Sequence, residues 1–321
     1  MTSTTPAGPA GPASAAGPTS AAGPARPANN ARPAHETGTA STARPARPVR
    51  RRNLGTYLAA VVLAVPFLLP FYLLVRNALM SRRELGSLDW HWWPETVSLQ
   101  GFADAFGNEA VPLVHALWNS TLISAISAPV ATLLASMAGY GLARIPVPAS
   151  RPVFFFIIAT MMVPGAATFI PTFVVVGSMG GVNTLWGLIV PGLFSAFAVL
   201  LFRGFYLRFP RELEDAGRVD GLGHLGLYLR LALPNSGALF ASLGILSFIE
   251  HWNAFLWPLV IGQDPAYWTV QVALSTNLNQ QAVNLPALFA GALVAILPLV
   301  ALFLVAQRYI VRGVLLSGIK G

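Results

Sequence analysis

The residues best suited to chemistry in this sequence lie together inside an apolar segment, residues 237–261. Glu250, His251, Trp252 and Asn253 follow one another there, with Glu250 near the middle of the segment. A lone carboxylate at membrane depth costs about 3 kcal/mol, so it is expected to face a cavity or a partner. Trp252 and Asn253 offer an aromatic face and an amide that would stack on and hydrogen-bond a polar solute.

This cluster therefore predicts a path for a polar solute. Three other interpretations stay open from the sequence. In the first, Glu250 has a structural role and pairs with another subunit. In the second, the true centre of the membrane segment lies elsewhere. In the third, Trp252 lies at the membrane interface, as tryptophans often do.

Soluble-enzyme chemistry finds no support elsewhere in the chain. Cysteine is absent and Lys320 is the single lysine, which excludes thiolate nucleophiles and a Walker-type phosphate loop. No two histidines have the short helical spacing of a metal pair; they are His35, His91, His115, His224 and His251. We therefore predict no catalytic residue, no metal site and no cofactor bound by this chain. Any energy source must come from a partner or from an ion gradient.

The composition predicts an all-α integral membrane protein, because 55% of residues are hydrophobic and only 10% are charged. Each apolar segment is near the length that a membrane helix requires. The six predicted transmembrane helices cover residues of about 57–79, 117–140, 152–179, 185–205, 237–261 and 285–306. Residues 1–49, rich in Ala, Pro and Gly, are predicted to be a disordered tail, and residues 50–321 to form the six-span domain.

The net charge of +8 is explained by topology and gives no reason to expect nucleic-acid binding. Basic residues flank the apolar segments with a strong bias to one side of the membrane. That side carries Arg50, Arg51, Arg52, Arg144, Arg151, Arg203, Arg208, Arg211, Arg218, Arg230, Arg308, Arg312 and Lys320, whereas the other has only Arg82, Arg83 and Arg76. The bias predicts that both termini and the 203–236 connection are cytoplasmic.

A polar stretch, residues 210–234, interrupts the apolar pattern between the fourth and fifth predicted spans. Pro210 suits a first helical position and Gly221 suits a helix stop, so two short helices are expected. In the first, Leu213, Ala216 and Gly217 share one side, and small residues there would admit a partner backbone. The second has an apolar stripe that ends at Pro234; the stripe is Leu222, Leu225, Leu229 and Leu233. The stretch is a candidate docking surface, with an ordinary cytoplasmic loop as the alternative.

The segment Asp215–Leu222, followed by Leu231–Pro234, resembles the cytoplasmic signature of ABC-importer permeases. The signature reads Glu-Ala-Ala, two variable residues, Asp-Gly-Ala, eight variable residues and Ile-x-Leu-Pro. Departures are Asp215 for Glu, Gly217 for the second Ala, Leu222 for the third Ala and Leu231 for Ile. Further stretches resemble the carbohydrate-uptake branch, specifically the second permease of maltose transporters. They are Asn119–Ser120, Gly139–Arg144, Trp252–Leu259, Gln307–Gly313 and Lys320–Gly321, with Ser317 where that branch usually has Gly.

The resemblance implies a multi-pass permease subunit of a bacterial cell membrane, for a sugar or related polar solute. It implies four kinds of contact: a second permease, two ATPase subunits that bind the ATP, an extracytoplasmic solute-binding protein and the lipid bilayer. The 210–234 stretch would be the coupling helix, which sits in a groove on the ATPase. The coupling residues carried over are Leu213, Glu214, Asp215, Ala216, Gly217, Asp220, Gly221, Leu233 and Pro234. Asp215, being shorter than Glu, alters one contact that the family makes with its ATPase.

A proton-coupled secondary transporter that uses Glu250 and His251 as a relay is the second hypothesis. Such a carrier has no need for a docking loop, and the sequence lacks the inverted repeat typical of the class. An intramembrane enzyme is the third hypothesis, for which a nucleophile and base are missing.

Overall fold

A computed structural model describes residues 54–87, 89–146, 148–278 and 283–318; the predicted tail, residues 1–49, lies outside them. The described residues form helices and no strand. The helices are α1 (Leu54–Ala78), α2 (Arg82–Leu85), α3 (Gln100–Gly107), α4 (Leu113–Arg144), α5 (Ser150–Thr160), α6 (Gly165–Ser178), α7 (Leu185–Ile189), α8 (Ala196–Leu207), α9 (Arg211–Val219), α10 (His224–Leu227), α11 (Leu233–Asn235), α12 (Gly237–Asn253), α13 (Leu256–Ile261), α14 (Val270–Leu278) and α15 (Leu285–Gly318).

Three helical segments are long and apolar enough to cross a membrane: Tyr57–Ala78, Leu113–Arg144 and Leu285–Gln307. Three helix pairs reach the same length and hydropathy only when each pair is taken as one bent element. They are α5 with α6, Leu185–Gly192 with α8, and His224–Asn235 with α12. The described chain therefore contains three spans by length and composition, or up to six when the bent pairs count.

Three of the predicted spans are not single straight helices. The 152–179 segment is bent by 101° between α5 and α6, and the 185–205 segment by 46° between Gly192 and α8. Pro164 explains the first bend, because a proline disfavours helical backbone at the residue before it. The 237–261 segment ends as a helix at Asn253 and restarts at Leu256. There, a continuous helix would drive the ring of Pro258 against the carbonyl of residue 254.

Helix α4 lies at the centre of the described fold, packed against α8 and α12. Small residues line its buried face, including Ala131, Ala135 and Gly139. A Cβ added at Gly139 would lie 2.6 Å from the Cβ of Phe202 and 2.8 Å from the backbone nitrogen of Arg203. The glycine therefore permits α4 and α8 to pack backbone against backbone at this end of the helices.

The other end of α4 forms hydrogen bonds with the connection between α13 and α14. Asn119 donates hydrogen bonds to the carbonyls of Ala266 and Trp268, and the Ser120 hydroxyl accepts one from the backbone N–H of Val270. Nearby, α15 packs against α1, α3 and α12. The outward faces of α1 and α15 are apolar and exposed, as expected of helices that contact lipid.

Candidate functional site: the 210–234 loop and the 250–253 cluster

The first helix of the 210–234 stretch is α9, and its backbone ends as the sequence predicts. Gly221 has a φ of +81°, which confirms the left-handed stop. The N–H of Leu222 donates to the carbonyl of Gly217 and the N–H of Gly221 to that of Arg218, the two bonds of a Schellman cap. Pro210 is the residue before the helix, with a ψ of 128°, so its predicted place as the first helical residue is wrong by one position.

One face of α9 is fixed to the end of α4 by a buried ion pair. Glu214 Oε1 lies 3.3 Å from Arg144 Nε, and the two side chains are 5% and 7% exposed. The Arg144 guanidinium also donates from Nη2 to the carbonyl of Phe209, the second residue before α9. One arginine therefore holds both the helix and the chain that leads into it.

Gly217 faces inward, which corrects its predicted role in admitting a partner backbone. A Cβ at Gly217 would lie 2.6 Å from Leu227 Cδ2 and 3.0 Å from Leu231 Cδ1, both on the second helix of the stretch. Leu213, Ala216 and Val219 are exposed on other sides of α9, with Val219 88% exposed. The face of α9 that remains free for a partner is therefore the one formed by Leu213, Ala216 and Val219.

The second helix runs from His224 to Asn235 and passes through a π-helical turn, Tyr228–Ala232. Leu225 and Leu229 of the predicted apolar stripe are 63% and 50% exposed. The helix ends one residue after Pro234, where the chain turns by 78° into α12. The prediction that Pro234 ends the helix is therefore correct to within one residue, and the proline lies at the bend that joins the loop to α12.

The charged signature positions are exposed on α9 and at its end. Asp215 forms an ion pair of 3.0 Å with Arg218, one helical turn away, and both side chains are at least half exposed. Asp220 is the C-cap residue of α9, directly before the left-handed Gly221. Leu233 is half-buried where the π turn meets α11, and its N–H donates to the carbonyl of Tyr228.

Glu250 lines a cavity of about 130 Å³ between α4, α8 and α12. Its carboxylate is exposed and makes no ion pair or hydrogen bond within the described ranges. Hydroxyl groups share the lining, contributed by Thr132, Ser195 and Ser247. Because α12 ends at Asn253, Glu250 lies one turn from the end of its helix rather than near the middle of a long span.

His251 reaches the same cavity, with its Nδ1 placed as a hydrogen-bond donor. Its Nδ1 lies 2.7 Å from the carbonyl oxygen of Ser247, which can only accept, so Nδ1 carries the proton. Nε2 faces Gly192, where an added Cβ would lie 2.8 Å from it. A larger residue at position 192 would therefore displace the His251 ring.

Trp252 points away from the cavity, which removes it from the predicted solute path. It is fully buried, donates from Nε1 to the carbonyl of Ala295 at 3.2 Å and stacks on Phe248. It therefore fixes α12 to α15. Asn253 is exposed and accepts a hydrogen bond of 3.4 Å from Gln271.

The sequence pattern does not distinguish Arg144, Thr132 and Ser195 from ordinary positions. In the charge pattern Arg144 is only one of the bases that flank the apolar segments. Its place at the end of Gly139–Arg144, a stretch that resembles the carbohydrate-uptake permeases, is the one sequence feature that marks it as a functional position. Thr132 and Ser195 come from distant parts of the chain and carry no local pattern.

Comparison with known proteins agrees with this architecture. Residues 110–316 match the family of binding-protein-dependent transport system inner membrane components. The chain is 33% identical to the arabinooligosaccharides transport system permease protein AraQ of Halalkalibacterium halodurans, over 71% of this chain and 81% of the relative. It is 31% identical to the melibiose/raffinose/stachyose import permease protein MelC of Bacillus subtilis, over 87% and 100%. A third relative, the lactose transport system permease protein LacG of Rhizobium radiobacter, is 32% identical over 68% and 80%.

A solved structure shares the fold. It is a chain of a bacterial ABC transporter involved in the import of the acidic polysaccharide alginate, with a TM-score of 0.70 and 19% identity. The similarity covers 79% of this chain and 95% of the solved one. With the family match extending from the start of α4 into α15, this chain belongs to the binding-protein-dependent transport system inner membrane components.

Proposed function

We propose that this protein is the permease subunit of an ATP-driven importer and forms part of the path for a sugar or short oligosaccharide. Three relatives are named for the transport of arabinooligosaccharides, lactose, and melibiose, raffinose and stachyose, which supports the carbohydrate class. The finer resemblance to the second permease of maltose transporters belongs to the same proposal. Residues 50–321 would form six spans, with residues 1–49 as a tail.

The proposed orientation places both termini and the 210–234 stretch in the cytoplasm of a bacterial cell. The distribution of basic residues supports it. The chain would work with a second permease, two ATPase subunits that bind ATP, and an extracytoplasmic solute-binding protein. Leu213, Glu214, Asp215, Ala216, Gly217, Asp220, Gly221, Leu233 and Pro234 would form the coupling loop.

One observation carries the proposed coupling role, the two-sided character of α9. Its inner face is held by the buried pair of Glu214 with Arg144, and its outer face exposes Leu213, Ala216 and Val219. A helix that is fixed on one side and free on the other can bind a soluble subunit with its free face and transmit that subunit's movement to α4. This division of faces is what docking to a moving ATPase requires.

The solute path is proposed along the cavity that Glu250 and His251 line, and the exposed Asn253, two residues further along the chain, would belong to it. A cavity of about 130 Å³ is below the 300–1,000 Å³ of typical ligand pockets, so this chain would supply only one wall. A second permease would supply the facing wall. Glu250 and the nearby hydroxyls would then hydrogen-bond sugar hydroxyls.

The proton-coupled alternative has little in its favour. His251 donates from Nδ1 to a backbone carbonyl and packs Nε2 against Gly192, so neither nitrogen is directed at Glu250. The family match also concerns binding-protein-dependent systems.

The test is to purify the tagged chain with its partners from native membranes and reconstitute the complex in liposomes. ATP hydrolysis is then measured with its binding protein and raffinose, lactose or arabinooligosaccharides. We expect hydrolysis to rise with at least one of these sugars. Absence of a co-purified ATPase would overturn the proposal.

A matched pair of variants tests the docking face within that experiment. Val219→Asp adds a charge to the outer face of α9 and is expected to reduce recovery of the ATPase. Val97→Asp makes the same change at another exposed valine, 60% exposed, outside the loop. Equal ATPase recovery in the two variants would reject α9 as the docking helix.

A further inference from the structure

Four buried hydroxyl groups form a continuous chain beneath the second helix of the loop. The Tyr228 hydroxyl donates to Ser136 Oγ at 3.1 Å, and Ser136 Oγ lies 2.7 Å from the Tyr206 hydroxyl. Tyr206 lies 3.0 Å from Ser236 Oγ, which donates to the carbonyl of Leu233 at 2.8 Å. All four side chains belong to residues no more than 3% exposed.

The direction of every bond in this chain is determined. Each hydroxyl has one proton, and four hydroxyls make four bonds. The Ser236 proton goes to the carbonyl of Leu233, so Tyr206 must donate to Ser236. Tyr206 has then used its one proton, so Ser136 must donate to Tyr206 while it accepts the Tyr228 proton. The chain therefore runs one way, and every proton in it is used.

Both ends of the chain lie on the helix His224–Asn235, at Tyr228 and at Leu233. Tyr228 begins the π turn and Leu233 directly follows it, and such turns are often found at functional positions in helices. The middle of the chain lies on α4, at Ser136, and on α8, at Tyr206. Ser236 lies at the bend into α12.

Close packing holds the middle of the hydrogen-bond chain, Ser136 and Tyr206, in a fixed position. Gly139 brings the backbones of α4 and α8 together, and the Tyr206 ring stacks on Phe202 at 6.0 Å. Tyr140 packs edge-on against Tyr206 with ring centres 5.4 Å apart. The loop helix is thus bonded at two points to a rigid pair of membrane helices.

We propose that Tyr206 is a positioning residue for transport, because its hydroxyl is the centre of the chain that joins the loop helix to α4 and α8. The proposal rests on the proposed ATPase-coupled function. Movement of the loop is passed to the membrane helices through this connection. Without it, the loop moves while the helices lag, and ATP is hydrolysed without transport.

The test compares three tyrosine-to-phenylalanine variants in the reconstituted complex. Tyr206→Phe removes the two central bonds, and Tyr228→Phe removes the first bond. Tyr140→Phe is the matched control, since the Tyr140 hydroxyl makes no hydrogen bond within the part of the chain that the structure describes. The measured quantity is ATP hydrolysed per sugar transported, which loss of folded protein does not change.

For Tyr206→Phe we expect this ratio to rise about fivefold or more, the lower end of coupling between protein sites. Tyr228→Phe should show a smaller rise, and Tyr140→Phe should match the wild type. An unchanged ratio in Tyr206→Phe, or an equal rise in Tyr140→Phe, would overturn the proposal. If Tyr206→Phe does not assemble, the comparison of Tyr228→Phe with Tyr140→Phe decides. A wild-type complex without sugar-stimulated hydrolysis would instead overturn the proposed function, and this inference with it.

A second measurement reports the connection directly. The chain has no cysteine, so spin labels can be attached to cysteines introduced at Leu225 on the loop and Leu207 on α8, which are 63% and 49% exposed. We expect one narrow distance distribution in the wild type and in Tyr140→Phe, and a broadened one in Tyr206→Phe. The same width in all three would refute a rigid connection.

Discussion

The buried pair of Glu214 with Arg144 gives the strongest prediction for the loop. Replacing Glu214 by alanine leaves a guanidinium, 7% exposed, without its carboxylate. Breaking a buried pair on one side costs about 3–5 kcal/mol. We expect the lower end, about 3 kcal/mol, because Arg144 keeps its bond to the carbonyl of Phe209. Helix propensity opposes the effect, since alanine is the better helix former.

Hydrogen exchange in α9 is the assay, followed by mass spectrometry on the purified complex. A loss of about 3 kcal/mol makes local opening about a hundredfold more frequent, so protection of the α9 amides should fall by that factor. Asp215→Ala is the matched control, because it removes the neighbouring carboxylate from an exposed pair with Arg218. Such pairs contribute about 0.5 kcal/mol, so its exchange should change about twofold.

Two outcomes would refute this reasoning. Equal loss of protection in Glu214→Ala and Asp215→Ala would mean that burial of the pair has no energetic effect. A double variant, Glu214→Leu with Arg144→Met, removes both charges and fills their space with apolar atoms. The double variant also loses the hydrogen bond from Arg144 to the carbonyl of Phe209, about 1 kcal/mol, which is less than the cost of the unpaired charge. It should therefore still retain more protection than Glu214→Ala, and a larger loss in the double variant would contradict the assigned cost of an unpaired buried charge.

Three further predictions concern other parts of the fold. Gly139→Ala should prevent assembly of the complex, because the added Cβ would lie 2.8 Å from the backbone nitrogen of Arg203. Gly141→Ala is the control and should assemble normally, because the space around its Cβ is open. Size-exclusion chromatography measures assembly in both. Gly221→Ala should destabilise the α9 cap by about 1 kcal/mol, seen as faster amide exchange at that end of α9 but not at its start. Hydrogen bonds from Asn284 and Gln100 lower the pKa of Asp104, so its stabilising effect is present above the ordinary aspartate pKa and is lost as the pH falls below about 4. In Asp104→Asn, the melting temperature should depend less on pH in that range than it does in the wild type. The same dependence of melting temperature on pH in both proteins would contradict this.

Much of the fold was predictable from the sequence because length and hydropathy determine where a helix can cross a membrane. The segments near 57–79, 117–140 and 285–306 are each one long helix, as predicted. The breaks at Pro164 and Pro258 were not predicted. Membrane helices often tolerate proline, so a proline kinks the helix or ends it according to the packing around it.

In the loop, too, features with a local cause were predictable from the sequence and features with a tertiary cause were not. Gly221 was predictable because a left-handed residue is a property of a single position. The inward direction of Gly217 was not, since it depends on where Leu227 and Leu231 lie after folding. Trp252 is similar. From the sequence, Trp252 suits a solute path or the membrane interface equally, and its buried hydrogen bond to the carbonyl of Ala295 shows that it instead packs α12 against α15.

The two neighbouring carboxylates of α9 show why a shorter residue can stand at the signature position. Glu214 must reach Arg144 at the buried end of α4, and the longer side chain makes that contact at 3.3 Å. Asp215 points to the exposed side and bonds its own Arg218. An exposed pair of this kind contributes about 0.5 kcal/mol, so Asp215 can exchange Arg218 for a base on a partner at little cost. Under the proposed function, the anchoring role and the partner-facing role would therefore belong to different carboxylates, and only the anchoring one would require the length of glutamate.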